Sequence, residues 1–319
     1  MRITTAATMA AWAVITSVSA FASTDKKPCD RDCLKSLADT YLAAMVAHDV
    51  KKAPLAREIK FVENLKATPP GEGLWKTASA IPTDFKIYVP DPVAQQVGFI
   101  GLMQEDSKPI LIGLRLASQD GKIVEAEHVI ARNLRPNVMD HFKTPRLALS
   151  TAVAESYRDS RGRLLSIGAS YYDALDLNNG SLAPFADDCV RFENGIQTAR
   201  NAVPAAPIPG QNVSPFGALG CAKQLDTQLF EYITRIDNRR VWIADEENGL
   251  AFGLSHFRHK MDKKEFRTIG VPGFEVRKMD NAPFDLPAMH IFKIWGGQIH
   301  EIEALGFVAP YNSATGWEG

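Results

Sequence analysis

The residues of this chain best suited to chemistry come in pairs. Tyr41, Glu63 and Asn64 are matched by Tyr171, Glu193 and Asn194 at a constant offset of 130 residues. A glutamate desolvated by apolar walls has its pKa raised and can serve as a general base near neutral pH. His290 sets a polar ring at the start of the apolar run His290-Ile291-Phe292. His256 and Arg258 share one strand face by the two-residue period, and arginine suits recognition of a carboxylate or phenolate. Arg115 is the analogous candidate in the first half. Each of these residues has a plainer alternative. Glu63 and Glu193 would cap backbone groups, Asn64 and Asn194 would make turns, and His256 and Arg258 would form a wet strand end. Tyr41 and Tyr171 would be core tyrosines with satisfied hydroxyls. Duplication favours the plainer view of the glutamates, because a fold device is repeated more readily than a complete active site.

The elements that must position these residues follow from the same repeat. Ala44 pairs with Ala174 and Pro54 with Pro184 at the same offset and without a gap, so the chain is read as an internal duplication. Each copy opens with an amphipathic helix. Leu34, Leu37, Ala38, Tyr41, Leu42 and Met45 recur at helical spacing in the first copy, and Leu164, Gly168, Tyr171 and Leu175 in the second. After the proline, a short helical turn should lead into an extended stretch ending in Glu-Asn. The rest of each copy alternates as strands do, with turns at Asp120-Gly121, Asn248-Gly249 and Gly296-Gly297. Helices leading into a run of antiparallel strands make an α+β layer architecture.

Composition narrows the function classes. The chain is 45% apolar and 23% charged with a net charge of −1, which suits a buried core. It gives no basic face for nucleic acid and no reason for attraction to anionic lipid. Arg2, the apolar run from Ala6 to Ala20 and the small-x-small end at Ala20-Phe21-Ala22 read as a signal peptide over residues 1–22, hence an exported protein. That run is too short to span a bilayer comfortably, and no later segment is a candidate membrane helix. In an exported chain the four cysteines are expected in disulfides, Cys29 with Cys33 and Cys189 with Cys221. Paired zinc-ligand clusters, G-x-S-x-G, H-E-x-x-H, Walker and G-x-G-x-x-G motifs do not occur, so no metal and no cofactor are expected. The expected layout is a first domain at 29–135, a linker at 136–150, and a second domain at 151–319. Two insertions are expected in the second domain, at 201–220 and 261–287; loops of that length serve as functional lids or are simply solvated.

Tyr-x-x-Ala in both copies, Asp49 and the segment Phe185-Ala186-Asp187-Asp188 resemble the opening of ketosteroid isomerases and SnoaL-like polyketide cyclases, within the nuclear transport factor 2-like superfamily. The Cys-Asp-Arg-Asp-Cys-Leu start, the two Glu-Asn boxes (Phe61-Val62-Glu63-Asn64 and Phe192-Glu193-Asn194) and the tail Pro310-Tyr311-Asn312-Ser313 are similar to an uncharacterised family of secreted microbial proteins. The first resemblance implies two tandem cone-shaped domains, each with helices closed over a curved sheet around one apolar pocket. It gives Tyr171 the role of oxyanion donor, Glu193 that of the proton-moving carboxylate, and His290 the place of a later acid. Tyr41 and Glu63 match the first two roles in the first copy, where Leu114 or Arg115 occupies the third. Together these imply a cofactor-independent lyase or isomerase acting on a small, partly apolar, aromatic molecule in the second copy. A non-catalytic small-molecule-binding protein is the alternative, as is a structural module that associates through its sheets, as a homodimer or an internal pseudo-dimer.

Overall fold

The computed structural model describes residues 28–201 and 215–318. The signal peptide at 1–22 and most of the expected insertion at 201–220 lie outside the described residues. Asp30 starts α1 (Arg31–Val46) by accepting a hydrogen bond from the Cys33 amide at 3.0 Å, satisfying one of the free N–H groups of the first turn. The expected apolar stripe of α1 is its buried face: Leu34, Tyr41, Leu42 and Met45 are all essentially inaccessible. Each such leucine contributes about 1.5–3 kcal/mol of burial. There follow β1 (Leu55–Glu63), β2 (Lys66–Ala67), the single turn α2 (Leu74–Thr77), β3 (Ala78–Ala80) and β4 (Lys86–Asp91). Then β5 (Gln96–Glu105), β6 (Lys108–Gln119) and β7 (Lys122–Ala131) complete the first copy. The short helical turn, Val50–Lys52, lies before Pro54 rather than after it, because β1 begins at Leu55.

After α3 (Leu147–Ser150) the plan repeats. The second copy has α4 (Arg161–Asp176), β8 (Phe185–Glu193), β9 (Ile196–Ala199), α5 (Cys221–Asp226), β10 (Arg235–Asp245) and β11 (Leu250–His259). It continues through β12 (Glu265–Arg267), β13 (Val276–Lys278), β14 (Phe284–Trp295), β15 (Gln298–Gly306) and β16 (Ala309–Pro310). The sheets run β2-β1-β7-β6-β5-β3, with β4 also on β5, and β9-β8-β15-β14-β11-β10, with β16 on β14. In each, the strand ending in Glu-Asn lies parallel to the last long strand, and every other pairing is antiparallel. The fold is therefore α+β with two curved mixed sheets of the same design. The β12–β13 hairpin lies within the insertion expected at 261–287, but Phe284 to Pro287 already belong to β14. Pro283 and Pro287 disguise that strand start in the sequence.

Asn64 and Asn194 explain why Glu-Asn recurs. Both adopt positive φ, +42° and +47°, a conformation that asparagine tolerates better than most residues. The Asn64 amide side chain donates to the Ile130 carbonyl and accepts from the Ile130 amide. Asn194 does the same with Gly306. Each thus clasps its strand end to the parallel neighbour.

The two sheets pack on each other through a shared core that includes Phe85, Ile100, Phe252, Met289 and Leu305. Gly98 and Gly113 allow the close approach, since a Cβ there would fall 2.5 Å from Phe252 and 2.4 Å from Met289. Two reciprocal ion pairs flank this interface. Arg31, opening α1, pairs with Asp245 at the end of β10 (2.6 Å), and Arg161, opening α4, pairs with Asp91 at the end of β4 (2.8 Å). Residues 136–150 are no slack tether. Val138, Phe142 and Leu149 enter the shared core, and Arg146 binds Glu301 and Glu303 at 2.5 and 2.7 Å. Cys29 is bridged to Cys33, and Cys189 to Cys221. Among the described residues no helix is long and apolar enough to cross a membrane.

Candidate functional site

In the second copy, α4 packs against β10 and β11, and a cavity of about 330 Å3 lies beside it. Tyr171 from α4, Glu193 and Asn194 from the end of β8, and His290 from β14 all line it. Phe230, Tyr232 and Phe257 supply aromatic walls.

The contacts within this group differ from the simplest expectation. The hydroxyl that meets His290 belongs to Tyr172, not Tyr171, with 3.1 Å to Nδ1. Burial, reinforced by the Arg191 charge, pushes the His290 pKa down to about 3, so the ring is neutral at physiological pH. Tyr172 is itself held protonated by burial. In the tautomer whose proton is on Nε2, the Tyr172 O–H donates to Nδ1. In that tautomer His290 is a neutral N–H donor, a form of imidazole suited to polarising a carbonyl. Burial pushes the Tyr171 hydroxyl up to about 12, with Arg191 pulling the other way. Tyr171 is therefore an O–H donor at neutral pH.

Glu193 is not the buried carboxylate that its neighbours in sequence suggest. Its side chain is 48% exposed, and it pairs with the Arg191 Nε at 2.8 Å. Arg191 is buried, lies 5.3 Å over the Phe230 ring, and also bonds Gln224. The sequence reading missed Arg191, although its two-residue spacing from Glu193 on one strand places both on the same face. His259, next to Arg258 on β11, also lines the cavity, on the same face as Phe257. His259 is sandwiched by Phe284 at 4.1 Å and Tyr232 at 5.4 Å, and burial lowers its pKa to about 4.

His256 and Arg258 do share a face of β11, but not the cavity face occupied by Phe257 and His259. Arg258 binds Asp285 (2.6 Å), Asp237 (3.0 Å) and the Ser313 carbonyl, fastening the C-terminal segment, and His256 approaches Asp285 at 3.3 Å. Arg115 is likewise engaged, by Glu125 at 2.7 Å and Glu127 at 3.4 Å, and its guanidinium lies 5.0 Å from the Trp317 ring.

In the first copy the corresponding residues form a closed chain. Trp75 Nε1 donates to the Tyr41 hydroxyl at 3.3 Å, Tyr41 meets His128 Nε2 at 3.0 Å, and His128 Nδ1 meets Glu63 at 3.3 Å. Glu63 accepts only, so with a neutral imidazole His128 Nδ1 donates to it, Nε2 accepts from Tyr41, and Tyr41 accepts from Trp75. Glu63 also accepts from the Leu74 amide at 3.0 Å, capping α2. Neither Leu114 nor Arg115 is the partner here. His128 comes from β7, one strand over from the position of His290, because Leu114 pairs with His128 as His290 pairs with Ala304.

Residues 157–306 match DUF8021, a domain of unknown function. That span covers nearly all of the second copy, including every residue of its cavity except the four that come from the first copy. No curated protein matches the chain. Solved structures similar to about half of it include three proteins described as candidate polyketide cyclases. The one from Xanthomonas campestris pv. campestris shows 15% identity over 46% of this chain and 90% of its own, with a TM-score of 0.29. The one from Silicibacter sp. TM1040 shows 10% identity over 45% and 88%, with a TM-score of 0.28. The third, described as SnoaL-like and from Jannaschia sp. CCS1, shows 13% identity over 47% and 89%, with a TM-score of 0.29.

Proposed function

We propose that the second copy binds a small, partly apolar molecule and that the chain is an exported, cofactor-independent lyase or isomerase acting on it. The observation that carries this reading is a cavity of about 330 Å3 whose wall brings together Tyr171, His290 and Glu193. Its size is within the range of small-molecule sites, and its lining combines aromatic rings with a few convergent polar groups. Tyr171 O–H and His290 Nε2–H are neutral donors suited to a carbonyl oxygen as it gains charge, and Glu193 is the carboxylate available to take a proton from the adjacent carbon. Two disulfides favour an oxidising compartment, in keeping with export.

A non-catalytic binding protein is the second reading, and the Glu193–Arg191 pair favours it, since an ion-paired carboxylate is a weaker base. A thermal-shift screen of phenols and cyclic ketones would identify binders by their stabilisation of the native state. Deuterium uptake at the α-carbon of a ketone hit then separates the two readings. Exchange catalysed by wild type and lost in Glu193→Gln supports proton transfer. Binding without exchange leaves a binding protein.

A further inference from the structure

The cavity of the second copy is completed by the first. Arg132, Asn133, Leu134 and Arg135, which follow β7, lie along its mouth. The exchange is mutual, because Phe307 to Pro310, which follow β15, lie with Glu63 and Asn64 along a groove on the first copy. The two exit segments differ in chemistry: the one over the first copy is apolar, and the one over the cavity is basic.

Charge around the cavity can be followed residue by residue. Arg132 is committed to Glu105 by contacts of 2.5 and 2.8 Å, and Glu193 is committed to Arg191. Among the described residues, Glu193 is the only acidic one in the lining. Arg135 is exposed and, among the described residues, has no carboxylate partner. One uncompensated guanidinium therefore stands at the mouth of a cavity walled by aromatic rings.

We infer that the ligand is an aromatic or cyclic carboxylate whose acid group binds Arg135, a residue that the first copy contributes to the cavity of the second. The inference rests on the proposed ligand-binding reading and names its substrate class. The planar guanidinium can hold a carboxylate through two parallel hydrogen bonds, while the ring enters between Phe230, Tyr232 and Phe257.

Matched pairs of acid and primary amide test it, for example phenylacetate with phenylacetamide and cinnamate with cinnamamide, by titration calorimetry on the full mature chain. Wild type should bind each acid about tenfold more tightly than its amide, as expected for a charge-assisted bond. Arg135→Gln should bring acid and amide within about twofold, leave the amide unchanged and remove the salt dependence of acid binding. Arg135 is exposed, so the variant should fold normally, and Arg135→Lys should restore part of the preference. Equal binding of acid and amide to wild type, or an acid preference that survives Arg135→Gln, overturns the inference. So does binding of neutral ketones or phenols without any acid, which leaves the cavity reading intact. Failure of every compound to bind removes both.

Discussion

The two copies share a fold and a tyrosine, a glutamate and an asparagine at matched positions, yet only the asparagine has the same contacts in both. In the first copy Trp75 fills the space beside Tyr41, and the polar groups satisfy one another in a closed relay. In the second, α5 is displaced by an insertion, no tryptophan stands beside Tyr171, and the cavity remains. The histidines have opposite neighbours: His128 meets the Glu63 carboxylate, whereas His290 lies under the influence of the Arg191 cation. Duplicated residues thus hold the architecture, and the chemistry is set by what surrounds them.

The strongest way to break this comparison is Trp75→Ala. If the indole alone separates a filled copy from an open one, the variant should lose about 3–5 kcal/mol in denaturant unfolding and regain stability on adding indole. Loss without rescue would mean that the first copy collapses rather than opens. The next largest effect should come from Cys189→Ser with Cys221→Ser. The bridge closes a sequence separation of 32 residues, and opening it should cost about 3–4 kcal/mol. Melting under reducing conditions should locate that loss in the second copy.

Asn64→Ala and Asn194→Ala sharpen the shared half of the comparison. Each removes two hydrogen bonds and leaves alanine at positive φ, so each should cost about 1–2 kcal/mol by equal amounts. Unequal losses would show that one clasp also serves a ligand. The smallest effect concerns pH. The folded-state pKa of His290 lies below its unfolded value, so the unfolded chain binds the proton more readily and stability falls as pH drops below about 6.5. The contribution of His290 should reach about 1.4 kcal/mol by pH 5.5 and grow until pH approaches 3. His290→Gln should flatten that slope in unfolding measurements; an unchanged slope would mean that His290 is solvated.

Much of the fold was legible because duplication leaves a register that any copy can be checked against. The offset through Tyr41, Glu63 and Asn64 located both opening helices and both extended stretches ending in Glu-Asn, but not the parallel pairing of those stretches with the last long strands. The site was less legible, because partner choice depends on side-chain direction. Tyr171 and Tyr172 are adjacent on one helix, and only packing decides which hydroxyl reaches His290. His256 and His259 sit on opposite faces of one strand, and nothing local says which face carries the cavity. Arg191 escaped notice because a buried arginine looks like any surface arginine until a partner such as Gln224 reaches it from elsewhere in the fold.

The reciprocal pairs Arg31–Asp245 and Arg161–Asp91 have a consequence for how the two halves could diverge. Such contacts are the geometry of a two-fold symmetric dimer, in which each patch meets its own copy. In a homodimer every substitution is made twice, so a tryptophan that plugs one cavity plugs both. Joining the halves in one chain lifts that constraint while holding the partner at a fixed, dilution-independent local concentration. One half can then trade its cavity for rigidity while the other keeps it.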